Sequence, residues 1–206
     1  MGSDGTARTD QTPGRTSVAA AVGAAAGVGT VLAIVGATAL APWFSWSANA
    51  LSDLGVAGGT APLFNGALIC GGLLALPYAW ALHREGDGQS PVPAVTFALA
   101  MLSMAGVGAF PAGTPLHFPM ALAFYLLLTV TLVADGVRRR QSPTGRAALV
   151  AAAVHVLGWA AWLAGVRPGP GLALPELLGA LLFVGWAVAG SPVAPIRPSR
   201  IRRAAR

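Results

Sequence analysis

Six long apolar segments constrain the fold of this chain more than any other feature of its sequence. Each is close to the roughly 20 residues that an α-helix needs to cross about 30 Å of hydrocarbon. Only 10% of the 206 residues are charged, whereas a soluble domain typically has about 25%. We therefore predict an all-α membrane protein, a six-transmembrane-helix bundle. Its spans are expected at about 18–41, 62–82, 94–111, 118–136, 147–166 and 172–190.

The distribution of arginine predicts how the bundle is oriented. All thirteen basic residues are Arg. With six spans, twelve of them fall on one side of the membrane and only Arg167 on the other. By the positive-inside rule, both the N- and C-termini are then cytoplasmic. We predict a multi-pass protein of the cell membrane. Because topology accounts for the net charge of +6, no nucleic-acid partner is predicted.

The polar ends of the chain are expected to lie outside the bundle. Residues 1–16 have the composition of a disordered cytoplasmic tail. Residues 17–190 form the predicted six-helix transmembrane domain. Residues 191–206 are predicted to be a basic cytoplasmic tail, of a kind that contacts anionic lipid headgroups.

One long outer loop, residues 42–61, follows the first span and contains the segment SANALSDLG. We expect a short helical turn over 49–54, capped by Ser47 or Asn49 and stopped by Gly55. Asp53 in this turn is expected either to cap backbone N–H groups or to point into a polar cleft, and we favour the backbone. Ser52 precedes it in the same motif.

The second helix begins with a recognisable start signal. Thr60 is the expected N-cap, and Pro62 suits the first turn of a helix. Asn65 follows about one turn into the helix. An amide at that depth needs a hydrogen-bond partner, and we expect it on a neighbouring helix.

Three ionisable residues are predicted at the outer membrane boundary: Asp53, His117 and Glu176. Two carboxylates and an imidazole are groups that perform acid–base chemistry or bind a divalent metal. The simpler explanation is a turn residue, a solvated histidine and a carboxylate at a helix N-terminus, where the helix dipole favours it. No fixed ligand spacing is present, so we predict no metal and no cofactor.

Two further ionisable residues lie inside the apolar segments. Asp135, near the cytoplasmic end of the fourth segment, is expected to pair with Arg138 or Arg139 at i+3 and i+4. His155 lies midway along the fifth segment. An intramembrane ionisable residue suggests a functional site, but a neutral histidine that bonds between helices would give the same pattern. Both interpretations stay open for His155.

Three segments of this sequence resemble a known family. They are NALSDLG, APLFNGALICGGLLAL and GVGAFPAGTPLHFPMALAFYLLL. The chain resembles the prokaryotic membrane family catalogued as domain of unknown function 998, over about residues 20–190. The shared outer-loop motif maps onto Asn49, Ser52, Asp53, Leu54 and Gly55, followed by Phe64 and Asn65, and then by Phe110, Pro111 and His117.

The resemblance implies a topology and a set of residues but no reaction, since the family has none assigned. Many of its members carry an acidic residue soon after the Phe-Pro pair, where this chain has Ala112, Gly113 and Thr114. That difference argues against a metal site there. The outer loop also resembles, more distantly, that of the eukaryotic Frag/DRAM/Sfk-type membrane proteins, which are linked to lipid handling.

These observations predict an integral membrane protein whose specific activity the sequence does not define. Our leading hypothesis is a non-catalytic or lipid-interacting role at the outer leaflet, with membrane lipids as partners and a homo-oligomer left open. The alternative is an intramembrane enzyme that acts on a lipid or isoprenoid headgroup through Asp53, His117 and Glu176. A second alternative is a proton-coupled transporter of small solutes that uses His155 and Asp135.

Overall fold

A computed structural model describes residues 14–85 and 90–196 of the chain. Within these ranges the regular secondary structure is helical, with no strand. Six helices are long and apolar enough to cross a membrane, which confirms the predicted fold class. They are α1 (Arg15–Ala39), α2 (Ala61–Glu85), α3 (Val92–Ala109), α4 (His117–Arg138), α5 (Pro143–Leu163) and α6 (Ala173–Gly185), which reaches spanning length only with the helical turn that continues it to Gly190.

Two shorter elements complete the fold. A 3-10 helix, Leu51–Gly55, lies in the α1–α2 loop, and α6 continues through a π-helical turn, Trp186–Gly190. Most of the predicted tail residues, 1–13 and 197–206, lie outside the described residues, as does 86–89. Residues 15 and 16, predicted to belong to the N-terminal tail, are already part of α1.

The predicted bounds are wrong for α5, which was expected at 147–166. The helix begins at Pro143 because the Ser142 hydroxyl accepts a hydrogen bond from the Gly145 N–H at 3.0 Å and so caps the first turn. Pro143 suits the first helical position. The helix ends at Leu163, and Gly165 follows with φ +82, a left-handed conformation that glycine adopts without strain.

Helices α1 to α4 pack side by side in sequence order, and glycines allow their close approach. A Cβ on Gly71 of α2 would overlap the Thr30 hydroxyl of α1. A Cβ on Gly72 would lie 2.5 Å from the Met101 carbonyl oxygen of α3. Small residues at helix crossings are typical of membrane bundles, where close van der Waals packing drives association.

The π-helical turn of α6 packs against α2 and α3 at one end of the bundle. Trp186 stacks on Phe183 with ring centroids 5.6 Å apart, and both rings contact Phe97 of α3. Tyr78 of α2, which is fully buried, stacks on Phe97 and donates a hydrogen bond to the Ala187 carbonyl at 2.6 Å. This aromatic cluster fixes α6 at the end of the bundle where the chain leaves the last helix.

At the opposite end, the α1–α2, α3–α4 and α5–α6 connections form what we call the loop face. The arginine pattern predicts that the loop face is the outer face of the protein. Asp53, His117, Arg167 and Glu176 all belong to this end of the bundle.

Candidate functional site

The α1–α2 loop is bound to the start of α6 by three hydrogen bonds at alternating residues. Gly171 N–H donates to the Ser47 carbonyl at 2.8 Å, and Ala173 N–H donates to the Asn49 carbonyl at 3.0 Å. Leu51 N–H then donates to the Glu176 carboxylate at 2.7 Å. The loop therefore lies across the loop face and joins the first and last parts of the helical domain.

Glycines in the α5–α6 loop make this contact possible. A Cβ on Gly169 would lie 2.3 Å from the Ser47 carbonyl oxygen, and a Cβ on Gly171 would lie 2.5 Å from the Asn49 carbonyl oxygen. Both neighbours are backbone atoms, which cannot move aside without breaking the three hydrogen bonds between the α1–α2 loop and the start of α6. We call these three bonds the ladder. Gly and Pro are common in any turn, so the sequence VRPGPG does not by itself indicate this contact with the outer loop.

Asp53 organises the outer loop from within. Its Oδ2 accepts hydrogen bonds from Asn49 Nδ2 at 2.9 Å and from Ala50 N–H at 3.0 Å. Asn49 Oδ1 in turn accepts from Ser45 N–H at 2.9 Å. The 3-10 helix is thus capped by Asp53 reaching back to Ala50, and the expected cap by Ser47 or Asn49 is wrong. Asp53 therefore caps a backbone N–H group, which is the role that we favoured over a polar cleft.

Two residues at the start of α2 fix the other end of the loop. Asn65 Nδ2 donates to the Gly55 carbonyl at 2.8 Å, so its partner lies in the outer loop and not on a neighbouring helix as expected. Thr60 occupies the predicted N-cap position, where its carbonyl accepts from Phe64 N–H at 2.9 Å. Its hydroxyl donates to the Leu54 carbonyl at 2.7 Å. A Cβ on Gly55 would lie 2.5 Å from Asn65 Oδ1, so a larger residue there would displace the Asn65 amide.

An apolar cavity of about 90 Å³ lies beneath the 3-10 helix, at the centre of the bundle. We call it the central cavity. Helices α1, α2, α3, α4 and α6 all contribute to its wall, which is mostly aliphatic and aromatic. Its polar lining residues include Ser52 of the 3-10 helix, His117 at the start of α4, and Glu176 in the first turn of α6.

Glu176 is the buried charge-bearing group of the central cavity, with 8% of its surface exposed. Oε2 accepts the hydrogen bond from Leu51 N–H. Oε1 has no hydrogen-bond donor among residues 14–85 and 90–196. Oε1 is not enclosed by protein atoms, so it is available as an acceptor for a ligand that enters the cavity.

The structure brings two of the three predicted boundary residues to the same cavity. His117 Nδ1 lies 2.8 Å from the Phe110 carbonyl oxygen, and the residue still lines the cavity with Glu176. Asp53 does not line it. In the part of the chain that is described, no group of three His, Cys, Asp or Glu side chains is placed to hold a metal ion.

Asp135 lies at the other end of the bundle, where it is fully buried and pairs with two partly exposed arginines. It forms two hydrogen bonds with Arg139, one of them from Nε to Oδ1 at 2.7 Å, and a longer ion pair with Arg138 at 3.7 Å. Trp186 Nε1 donates to Asp135 Oδ2 at 2.8 Å. Arg139 also donates to the Gly190 carbonyl at 2.8 Å. The network contains the pairing that the i+3 and i+4 spacing predicts.

His155 is held between two side chains. The indole of Trp159, which can only donate, bonds to His155 Nε2 at 3.0 Å, so Nε2 is the unprotonated nitrogen. Nδ1 therefore carries the proton and bonds to the Thr129 hydroxyl at 2.9 Å, which in turn donates to the Tyr125 carbonyl. Neither His155 nor Asp135 lines the central cavity.

We expect replacement of His155 by Leu to lower the free energy of unfolding by about 1–2 kcal/mol, because Trp159 Nε1 and the Thr129 hydroxyl both lose their hydrogen bonds to the imidazole. Reversible unfolding in mixed micelles measures this change. Val156→Leu is the control, since Val156 is 51% exposed on the same helix. Equal stability of the two variants would contradict a structural role for His155.

The six helices and the central cavity together define a multi-pass α-helical membrane protein with an apolar cavity beneath its first loop. The chain belongs to the family described as Protein of unknown function (DUF998), whose profile matches residues 12–191. Searches of curated proteins and of solved structures gave no significant match.

Proposed function

We propose that this protein binds an amphiphile of the outer leaflet, with the polar group of the ligand next to Glu176 and the adjoining chain in the central cavity. The observation that carries the proposal is the apolar cavity with one buried carboxylate whose Oε1 lacks a donor. The surrounding bilayer supplies molecules with the matching arrangement of a polar end and a long apolar chain.

The chemistry of the lining selects among such molecules. The lining has a carboxylate but no Lys or Arg, so the negative charge of a phosphate placed here would be repelled by Glu176. A hydroxyl or amine would instead donate to Glu176 Oε1 and satisfy it. We therefore propose an alcohol- or amine-bearing lipid or isoprenoid as the ligand class.

The size of the cavity limits how much of the ligand it holds. Its volume of about 90 Å³ is below the roughly 150 Å³ of an engineered protein cavity that binds benzene. Only the part of the amphiphile next to its polar group fits inside. The rest of the chain lies in the bilayer.

Filling the cavity tests this proposal. Ala180 of α6 lines the cavity, whereas its neighbour Leu181 is 49% exposed and faces away. We expect wild-type protein to co-purify with a specific amphiphile and Ala180→Phe to lose it, while Leu181→Phe retains it. Mass spectrometry of organic extracts measures the retained ligand per protein. Extracts that match bulk membrane lipid for all three proteins would overturn the proposal.

A catalytic role for the same site is the second candidate, since His117 and Glu176 line one cavity. In that case Glu176 would act as a base that takes a proton from the bound hydroxyl or amine. The Glu176→Gln protein would still bind the ligand but would not catalyse its reaction. Asp53 is already engaged with Asn49 and Ala50, so it would support the loop and not the reaction. Transport through His155 and Asp135 gains no support from their positions, because both side chains are engaged within the bundle.

A further inference from the structure

A second cavity, of about 170 Å³, lies on the loop face between α5 and α6. We call it the α5–α6 groove. Trp162 and Gly158 of α5 form one side, Leu174 and Leu178 of α6 form the other, and Arg167 lies in the connecting loop above them. It shares no lining residue with the central cavity.

Arg167 is held in place at the upper end of this groove. Its guanidinium carbon lies 4.4 Å from the centre of the Trp162 ring, a distance at which the cation is attracted to the ring face. The Trp162 indole is fixed in turn, since Nε1 donates to the Gly171 carbonyl at 2.7 Å. The guanidinium is therefore positioned before any ligand arrives.

The charge of Arg167 is not neutralised within the described residues, where it has no ion pair. All other arginines of the described ranges lie towards the opposite end of the bundle. The fork of a guanidinium matches two oxygens of a phosphate group. No Asp or Glu lines the groove, so nothing there would hold the cationic part of a zwitterionic headgroup.

The order of groups along the groove matches that of a phospholipid. The cation lies at the loop face, and Leu178 and Gly158 lie about one helical turn deeper than Leu174 and Trp162. A phosphodiester on Arg167 would place its acyl chain against these apolar side chains. We propose that the α5–α6 groove is a binding site for one anionic phospholipid, separate from the amphiphile site of the central cavity.

Native mass spectrometry of the full-length protein, with added phosphatidylglycerol or phosphatidylcholine, tests this site. We expect wild-type protein to retain phosphatidylglycerol in preference to phosphatidylcholine. Arg167→Gln should lower that retention about fivefold, the effect of one basic residue near an anionic lipid surface. Arg146→Gln is the matched control, because it removes the same charge from an exposed position near the start of α5.

Two further variants test whether lipid retention depends on the shape of the groove or only on the positive charge of Arg167. Arg167→Lys keeps the charge but loses the two-pronged fork, so we expect intermediate retention. Leu174→Trp fills the groove below an intact Arg167 and should also lower retention. Inorganic phosphate at millimolar concentration should not displace the lipid, because it lacks the acyl chain. Displacement by phosphate would show a free-anion site instead.

The proposal is overturned if Arg167→Gln and Arg146→Gln lose phosphatidylglycerol equally, or if wild-type protein retains both lipids equally. It does not depend on the central cavity. Loss of the co-purified amphiphile in Ala180→Phe with unchanged phosphatidylglycerol retention would support two independent sites.

Discussion

Replacing Arg139 with Gln should destabilise the protein by about 3–5 kcal/mol, whereas replacing Arg140 with Gln should change stability by less than about 0.5 kcal/mol. The two substitutions remove the same charge from adjacent positions. Of these two, Arg139 hydrogen-bonds to the fully buried Asp135, and its loss leaves that carboxylate with only the longer ion pair to Arg138. Arg140 is exposed.

Reversible unfolding in mixed micelles of a mild detergent and sodium dodecyl sulfate measures both changes. The double variant Asp135→Asn with Arg139→Gln should be less destabilised than the sum of its two single variants, since neither remaining group is charged. Equal effects of the Arg139 and Arg140 substitutions would show that the network contributes nothing beyond surface charge.

Gly171→Ala should release the outer loop from the start of α6. The new Cβ would lie 2.5 Å from the Asn49 carbonyl oxygen and 2.6 Å from its nitrogen, so the backbone has to separate. We expect the hydrogen bonds at Ser47 and Asn49 to break, at a cost of about 1–3 kcal/mol. Gly66→Ala is the control, because a Cβ there meets nothing within 4 Å.

Chemical labelling detects this release directly. Cys70 is the single cysteine of the chain, so a Cys70→Ala protein with Ser52→Cys reports on the loop alone. A maleimide should react several-fold faster with Ser52→Cys when Gly171→Ala is also present, and at an unchanged rate with Gly66→Ala. Equal rates in all three backgrounds would contradict the idea that this ladder closes the loop face.

The six helices were predictable because each is a long apolar segment. In hydrocarbon, a helix is one of the few structures in which such a segment can satisfy all its backbone hydrogen bonds. Rules based on local sequence predicted the ends of the helices less accurately. The predicted start of α5 at residue 147 excludes the charged Arg146, whereas the helix already begins at Pro143 after the Ser142 cap. Charge near a span is weaker evidence for a helix end than a capping side chain.

The partners of polar residues were harder to predict than the helices. Asp135 could be paired correctly because its partners lie within one turn of the same helix. Glu176 bonds to Leu51, which is 125 residues away, and no local pattern indicates that contact. The same limit applies to the segment GAAAG of α1, residues 23–27. Gly23 makes room for Tyr78 of α2, whereas Gly27 faces Val184 of α6, and the spacing of the two glycines does not indicate either partner.

The ladder between the first loop and the last helix also sets an order for biosynthesis. Chains are made from the N-terminus, so Ser47, Asn49 and Leu51 leave the ribosome well before Gly171, Ala173 and Glu176. During that interval the loop lacks the donors and the carboxylate that later hold it. The first loop can therefore be fixed over the central cavity only after the sixth helix has entered the membrane. Completion of the chain and attachment of the loop are coupled events.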